Sequence, residues 1–212
     1  MTSSNDYLSI KFTNHVLIRD AETNEVLVDT KNDVHPQNLA RVIARGLAGE
    51  PNNNIFRIGL GNGGTYNESI TDTTRFNPPN TTGTQAKLYN ETYFELVSAG
   101  NSTTSAASTT DITSTVQIEI ILDPSEPGVD QWLTDASGAG SATNPVNPQL
   151  PGSTAYVYEF DELALFAQNP LWSSGSTTEN EFLLLTHVIF HPIAKTQNRK
   201  QILNYSLTIS VS

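Results

Sequence analysis

The side chains in this sequence best suited to binding a metal are its four histidines, because it contains no cysteine. His187 and His191 are four residues apart, a spacing at which two helical histidines can share one metal ion. The surrounding run, LLLTHVIF, is rich in apolar and β-branched residues and predicts a strand instead. Residues four apart on a strand are separated by about 13 Å, which is too far for one ion. We therefore expect no metal and no cofactor, and polar contacts on a sheet face for both histidines.

Asp161 and Glu162 form an acidic pair inside the apolar segment YVYEFDELALFA. Glycoside hydrolysis needs two carboxylates facing each other across a cleft. Neighbouring residues on a strand point to opposite faces, so this pair alone would not supply that arrangement. A hydrolase would need another carboxylate from elsewhere in the chain, and that alternative stays open. The pair also interrupts the apolar alternation of the segment, as a β-bulge does.

Gly59, Gly61 and Gly64 match the spacing G-x-G-x-x-G of dinucleotide-binding loops. That function requires a helix to begin directly after the glycines. The residues that follow, TYNESITDTTRFNPPN, have no helical periodicity, so we interpret the motif as the end of a strand. Glycines there permit positive φ or close approach of another backbone. The candidate structural turn residues are Gly59, Gly61, Gly63, Gly64 and, before the last strand, Pro192.

Two apolar runs near the C-terminus predict the central strands of the fold. Residues 182–190 are almost continuously apolar, which is typical of a strand buried on both faces, and we expect Leu184 and Val188 to share a face. Residues 202–211 alternate between apolar and polar, as in a strand with one wet face. The polar residues 194–200 lie between them, and we expect the two strands to form one long antiparallel hairpin.

One helix is predicted near the N-terminus. Asp33 is a suitable capping residue, Pro36 suits the first turn, and Gly49 and Pro51 end the pattern. The apolar residues at helical spacing are Leu39, Val42, Ile43 and Leu47. We expect residues 1–54 to form a hairpin arm and this helix, and residues 55–212 to form an antiparallel β-domain within the same folded unit. The predicted fold class is mainly β, an antiparallel β-sandwich or jelly-roll-like domain with one N-terminal helix and long polar loops.

Two long polar loops contain the candidate contact residues. Residues 123–153 are rich in proline and glycine, with Trp132 and Leu133 as their bulky apolar anchor. Trp172 anchors a second polar loop, residues 169–180. Long loops without regular structure are uncommon in compact domains and are often functional, so Trp132, Leu133 and Trp172 are candidate interface residues.

The formal net charge of −11 disfavours a nucleic-acid binder, which needs a basic surface against phosphates, and we expect no nucleic-acid partner. No apolar run approaches the roughly 18 residues that a membrane-spanning helix needs. The N-terminal residues, MTSSNDYLSIKF, lack the apolar core of a signal peptide, so we expect synthesis in a cytoplasm.

Four segments carry a resemblance to a known family: LARVIARGLAG, IFRIGLGNGGT, YEFDELALF and LLTHVIFHPIAK. Their order resembles that of small β-rich virion proteins of tailed bacteriophages, in which a GTG turn, an E-x-G-L-F strand and an F-x-P-I-x-K bend recur. These motifs correspond here to residues 61–63, 162–166 and 191–195. Ala164 replaces the glycine of the E-x-G-L-F motif. The resemblance covers most of residues 36–70 and 155–211.

The resemblance implies a non-enzymatic structural protein of a virion, made in the host cytoplasm. It would contact other virion proteins, as a homo-oligomer, either decorating the capsid or lying at the neck, collar or tail. One alternative is a carbohydrate- or receptor-binding module of a fibre, with Trp132, Tyr156 and Tyr158 as exposed aromatic residues. The acidic-pair hydrolase is the third hypothesis.

Overall fold

A computed structural model describes residues 9–51, 53–68, 73–83, 85–105, 113–124, 126–127, 157–172 and 181–211, and these form a mainly β, antiparallel structure. The elements are β1 (Ile10–Asp20), β2 (Val26–Lys31), β3 (Asp33–Val34), α1 (Pro36–Leu47), β4 (Ile55–Gly61), β5 (Thr65–Glu68), β6 (Thr73–Phe76), β7 (Glu91–Leu96), β8 (Ser102–Ser105), β9 (Thr113–Leu122), β10 (Val157–Gln168), β11 (Phe182–Thr196) and β12 (Gln201–Val211). The front sheet has the order β2-β1-β12-β9-β8, and the back sheet has the order β3-β11-β10-β4-β7. Strands β5 and β6 form a separate two-stranded sheet. The fold is thus the predicted β-sandwich with a helix near the N-terminus.

The front sheet has one buried and one wetter face. Along β12, buried side chains alternate with half-buried ones, and Leu203, Tyr205 and Leu207 point into the core. Val16 and Ile18 do the same on the neighbouring β1. This alternation follows from the period-two pattern of the sequence, because successive strand residues face opposite sides of a sheet.

The back sheet is covered on both faces, which explains the continuous apolar run in β11. Leu185 and Val188 belong to the main core between the sheets. Leu184 belongs to a second cluster, where the segment containing Leu88 covers the outer face. Leu184 and Val188 therefore lie on opposite faces, and the prediction that they share one is wrong. The reason is a shift in register: Leu165 pairs with Thr186 but Phe166 pairs with Leu184, so β11 carries one extra residue.

Strands β11 and β12 do not form the predicted hairpin. β11 pairs with β10 and β3 in the back sheet, whereas β12 pairs with β1 and β9 in the front sheet. The polar residues 197–200 therefore connect one sheet to the other. The difference follows from burial, because a strand covered on both faces suits the interior of the back sheet and an alternating strand suits the front sheet.

The helix α1 forms as predicted, but with a different cap. Asp33 lies in β3, and the capping residue is His35, whose ring accepts a hydrogen bond from the backbone N–H of Asn38. Pro36 occupies the first helical turn, where its missing N–H costs nothing. The helix ends before Gly49, which has a φ of +72°. No other helix occurs among the residues that the structure describes, and α1 is not long and apolar enough to cross a membrane.

The N-terminal hairpin is not an arm. β1 lies inside the front sheet, between β2 and β12, and pairs with β12 along its whole length from Ile10 to Asp20. Long pairing of this kind makes residues 10–20 an integral part of the sandwich, whereas the sequence predicted a hairpin arm on the same folded unit.

Candidate functional site

The acidic pair lies at a break in the pairing of β10 with β11. Phe160 pairs with Ile193, but Glu162 pairs with Ile189, so one residue of β10 faces three residues of β11. The bulge predicted at Asp161 is confirmed. Pro192 lies in the extra stretch of β11, where the ladder needs no N–H from it. Pro192 thus sits within a long strand and not in a turn that ends one.

Glu162 is fully buried and holds two loops together. Its Oε1 accepts hydrogen bonds from the backbone N–H groups of Gly63 at 3.2 Å and Asn90 at 2.8 Å. Its Oε2 accepts from the backbone N–H of Tyr89 at 2.9 Å and lies 3.0 Å from Nε2 of His187. Four donors satisfy an acceptor-only carboxylate, which offsets the cost of burying it.

Asp161 holds the next part of the same loop. Its carboxylate accepts hydrogen bonds from the backbone N–H of Gly64 at 2.9 Å and of Thr65 at 2.8 Å. Burial raises the pKa of this carboxyl, and the hydrogen bonds from Thr65 and Gly64 oppose that rise. Because Glu162 binds Gly63 and Asp161 binds Gly64, both carboxylates act on one turn. The expectation that they point to opposite faces is wrong, since the bulge cancels the alternation between them.

His187 is fully buried next to this pair. Its Nδ1 accepts a hydrogen bond from the backbone N–H of Asn80 at 2.8 Å. That contact places the ring proton on Nε2, which donates to Glu162. Both ring nitrogens are therefore engaged, and His187 links the loop at residue 80 to the acidic pair. His191 lies on the outside, with its ring edge-to-face with Phe76 at 4.8 Å between ring centres.

The glycines of the turn allow close backbone approach. A Cβ added to Gly61 would lie 2.5 Å from the carbonyl oxygen of Asn90, and one added to Gly63 would lie 2.8 Å from the Asn90 nitrogen. Neither glycine has a positive φ. Of the two explanations that the sequence offered, close approach is the one that applies. We name the assembly of Asp161, Glu162 and His187 with the turn at 61–65 the carboxylate clamp.

A second buried charged group lies on the same side of the back sheet. The guanidinium of Arg57 in β4 lies over the rings of Phe94, Phe166 and Phe182, at 4.0 to 4.8 Å from their centres. It donates to the carboxylate of Glu91 at 2.9 Å. Burial raises the pKa of Glu91 to about 7 and lowers that of Arg57. Sequence reasoning missed this pair; the signal was an arginine inside the apolar strand IFRIGL.

Of the predicted contact residues, the structure describes Trp172, which is not part of the carboxylate clamp. Trp172 and its neighbour Leu171 are 37% and 56% exposed just beyond the end of β10. Trp132, Leu133 and Tyr156 lie outside the described residues. Tyr158, expected to be an exposed aromatic residue, is buried, stacked on Phe160 and hydrogen-bonded to Thr92. This correction removes one of the three aromatic residues on which a carbohydrate-binding surface was based.

The described part of the chain holds no group of three or more His, Cys, Asp or Glu side chains positioned to bind a metal ion. No family model, curated protein or solved structure matches this chain. Support for a function therefore comes from the geometry above and from the resemblance seen in the sequence.

Proposed function

We propose that this protein is a non-enzymatic structural component of a tailed-phage virion, acting through protein–protein contacts at the capsid surface or at the neck, collar or tail. The proposal places it in the particle after synthesis in the host cytoplasm, as a homo-oligomer in contact with other virion proteins. It combines the sequence resemblance with the way in which this fold uses its reactive side chains.

The observation that carries the proposal is the carboxylate clamp. The most strongly polar side chains of the interior are used to fix loops: Glu162 accepts four hydrogen bonds, and Asp161 holds Gly64 and Thr65. A hydrolytic carboxylate must reach a substrate oxygen or a water molecule. Full burial of Glu162 and the occupation of both its oxygens favour a structural role over hydrolysis.

The outer surface offers contacts of the kind that assembly uses. Among the strands that the structure describes, β2 and β8 are the outermost of the front sheet, and β3 and β7 are the outermost of the back sheet. Edge strands present unpaired backbone groups to a neighbouring chain. The exposed Trp172, next to the exposed Leu171, adds an aromatic anchor of the type enriched at interface centres.

The first test is the copy number of the protein in purified particles, measured by quantitative mass spectrometry against the major capsid protein. Hundreds of copies would assign it to the capsid lattice, and a dozen or fewer to the neck, collar or tail. Complete absence from particles that infect normally would overturn the proposal.

A second test examines the contact itself. Trp172→Ala should lower incorporation into particles by about tenfold or more, because truncating a central aromatic contact commonly costs over 1.4 kcal/mol of binding free energy. Tyr66→Ala is the matched control, since Tyr66 is another exposed aromatic residue, on the β5–β6 hairpin. Equal incorporation of both variants, with unchanged melting temperatures, would remove Trp172 from the interface.

A further inference from the structure

The end of the sandwich next to α1 contains a cavity of about 610 Å³. The helix contributes Val42 and Ile43 to its wall, the back sheet contributes Leu185, and the front sheet contributes Ile118 and Leu207. The volume lies within the range of about 300–1,000 Å³ that is usual for small-molecule sites. The helix therefore covers this end of the core without filling it.

The cavity has an apolar interior and an uncharged polar margin. Ile118, Leu185 and Leu207 are almost completely buried, whereas Leu47 at the last turn of α1 is 85% exposed. Val97 donates its N–H to the carbonyl of Phe56, so the segments 53–55 and 97–99 lie side by side. Amide and hydroxyl side chains of these segments, including Asn54 and Ser98, line the same cavity.

The lining chemistry defines the class of ligand. Among the described residues, those that line the cavity include no Lys, Arg, Asp, Glu, His or aromatic side chain. A charged head group would lose its hydration without gaining a partner of opposite charge. An aromatic ligand would find no ring on which to stack. A flexible hydrocarbon chain matches the aliphatic wall, and a neutral polar head matches the amide and hydroxyl groups.

A peptide strand is a poorer match to the same space. Four of the strands that line the cavity, β4, β9, β11 and β12, are paired on both sides within their sheets. A peptide inserted among their aliphatic side chains would bury its own N–H and C=O groups with few partners. We propose that this cavity binds a single-chain aliphatic molecule with an uncharged head group, such as a medium-chain alcohol.

Gly46 provides a specific way to close the site. It lines the cavity from the last turn of α1, and a Cβ added there meets no atom within 4 Å. Gly46→Leu should therefore project a side chain into the cavity from a Cβ that meets no neighbouring atom. Replacing a helical glycine should also stabilise α1. Ala40→Leu is the matched control, because it adds the same leucine side chain at an exposed position of the same helix that does not line the cavity.

The experiment is isothermal titration of the purified protein with 1-decanol, decanoate and decylammonium, together with melting temperatures. We expect 1-decanol to bind one molecule per chain and the two charged analogues to bind at least tenfold more weakly. Gly46→Leu should weaken decanol binding at least tenfold at an equal or higher melting temperature, and Ala40→Leu should bind as the wild type does.

Three titration results would overturn the proposal. They are no decanol binding to the wild type, equal binding by Gly46→Leu, and equal affinity for the charged analogues. A wild-type dimer that Gly46→Leu converts to a monomer would instead identify a second copy of the chain as the occupant, and would also overturn it. None of these results bears on the copy number in particles.

Discussion

At the scale of single residues, the carboxylate clamp shows an acidic side chain stabilising a fold by accepting hydrogen bonds. Each oxygen of Glu162 has two donors, and three of the four donors are backbone N–H groups of loops. These backbone N–H groups lie in loops, so no neighbouring strand accepts their hydrogen bonds. The buried carboxylate therefore replaces the backbone pairing that a strand would supply.

Glu162→Gln should lower the free energy of unfolding by about 3 kcal/mol. The amide NH2 group replaces one carboxylate oxygen and cannot accept hydrogen bonds, so two buried donors lose their acceptor, at about 1–3 kcal/mol each. Urea unfolding measures the change. Glu119→Gln is the control, since Glu119 is an exposed carboxylate that accepts from Asn204. It should change stability by no more than about 0.5 kcal/mol. Similar losses for both variants would show that the clamp has no special role.

The buried Arg57–Glu91 pair predicts a dependence of stability on pH. Burial raises the pKa of Glu91 from its usual value near 4.5 to about 7, with a smaller rise from Glu162 and an opposing effect from Arg57. At a pH between these two pKa values, Glu91 keeps its proton in the folded state but has released it in the unfolded chain. The free energy of unfolding contributed by this group should therefore fall as the pH rises from about 4.5 through about 7.

Glu91→Gln should flatten that slope, because an amide does not titrate in this range. Urea unfolding at pH 5, 6, 7 and 8 measures it, with Glu68→Gln as the control. Glu68 is a partly exposed carboxylate paired with Arg75, and replacing it should preserve the wild-type slope. A Glu91→Gln variant with the wild-type slope would contradict the prediction.

At the scale of elements, β11 is the strand whose sequence and environment agree most directly. Its continuous apolar run corresponds to coverage on both faces, by the front sheet and by the segment around Leu88. The two positions Leu184 and Val188 probe these two faces separately.

Leu184→Asp and Val188→Asp should each destabilise the protein by about 4 kcal/mol or more, because each places an unpaired charge in a closed apolar cluster. Thermal and urea unfolding measure the effect. Thr13→Asp, at an exposed position of β1, is the control and should cost about 1 kcal/mol or less. Wild-type stability for Leu184→Asp alone would show that the outer face of β11 is open to solvent.

The sequence predicted the type of most elements but not their partners. Periodicity identified β11, β12 and α1, because alternation and helical spacing are local properties. It could not show that β11 and β12 belong to different sheets, since pairing depends on distant strands. The pairing of Arg57 with Glu91 was hidden for the same reason. The bulge at Asp161 was visible because charged residues interrupted an apolar strand, but the loops that those carboxylates bind were not.

At the scale of the whole molecule, the main core draws side chains from α1 and from both sheets, including Leu39, Ile58, Leu163 and Leu203. Residues on both sides of the boundary expected at position 54 therefore contribute to one core. Because the core is shared, we expect the described elements to unfold together in one cooperative step.

A fragment of residues 55–212 should fail to fold cooperatively, because removal of β1 leaves one side of β12 unpaired and takes Val16 and Ile18 from the core. Circular dichroism during urea titration measures the transition. A fragment that starts at Ser9 keeps every described strand and should unfold in one sharp step. Cooperative unfolding of the 55–212 fragment would show that the C-terminal strands are independent of the N-terminal hairpin.

The position of β12 in the front sheet affects how the protein is made. β12 lies at the centre of that sheet, yet it follows both of its partners, β1 and β9, in chain order. Ribosomes deliver a chain from its N-terminus, so β1 must wait for about 190 residues of synthesis before its long-range partner exists, at roughly 5–20 residues per second. During that interval β1 and β9 present open edges to other nascent chains. We therefore expect chaperones to bind the open edges of β1 and β9 until β12 is made, and we expect aggregation when they do not.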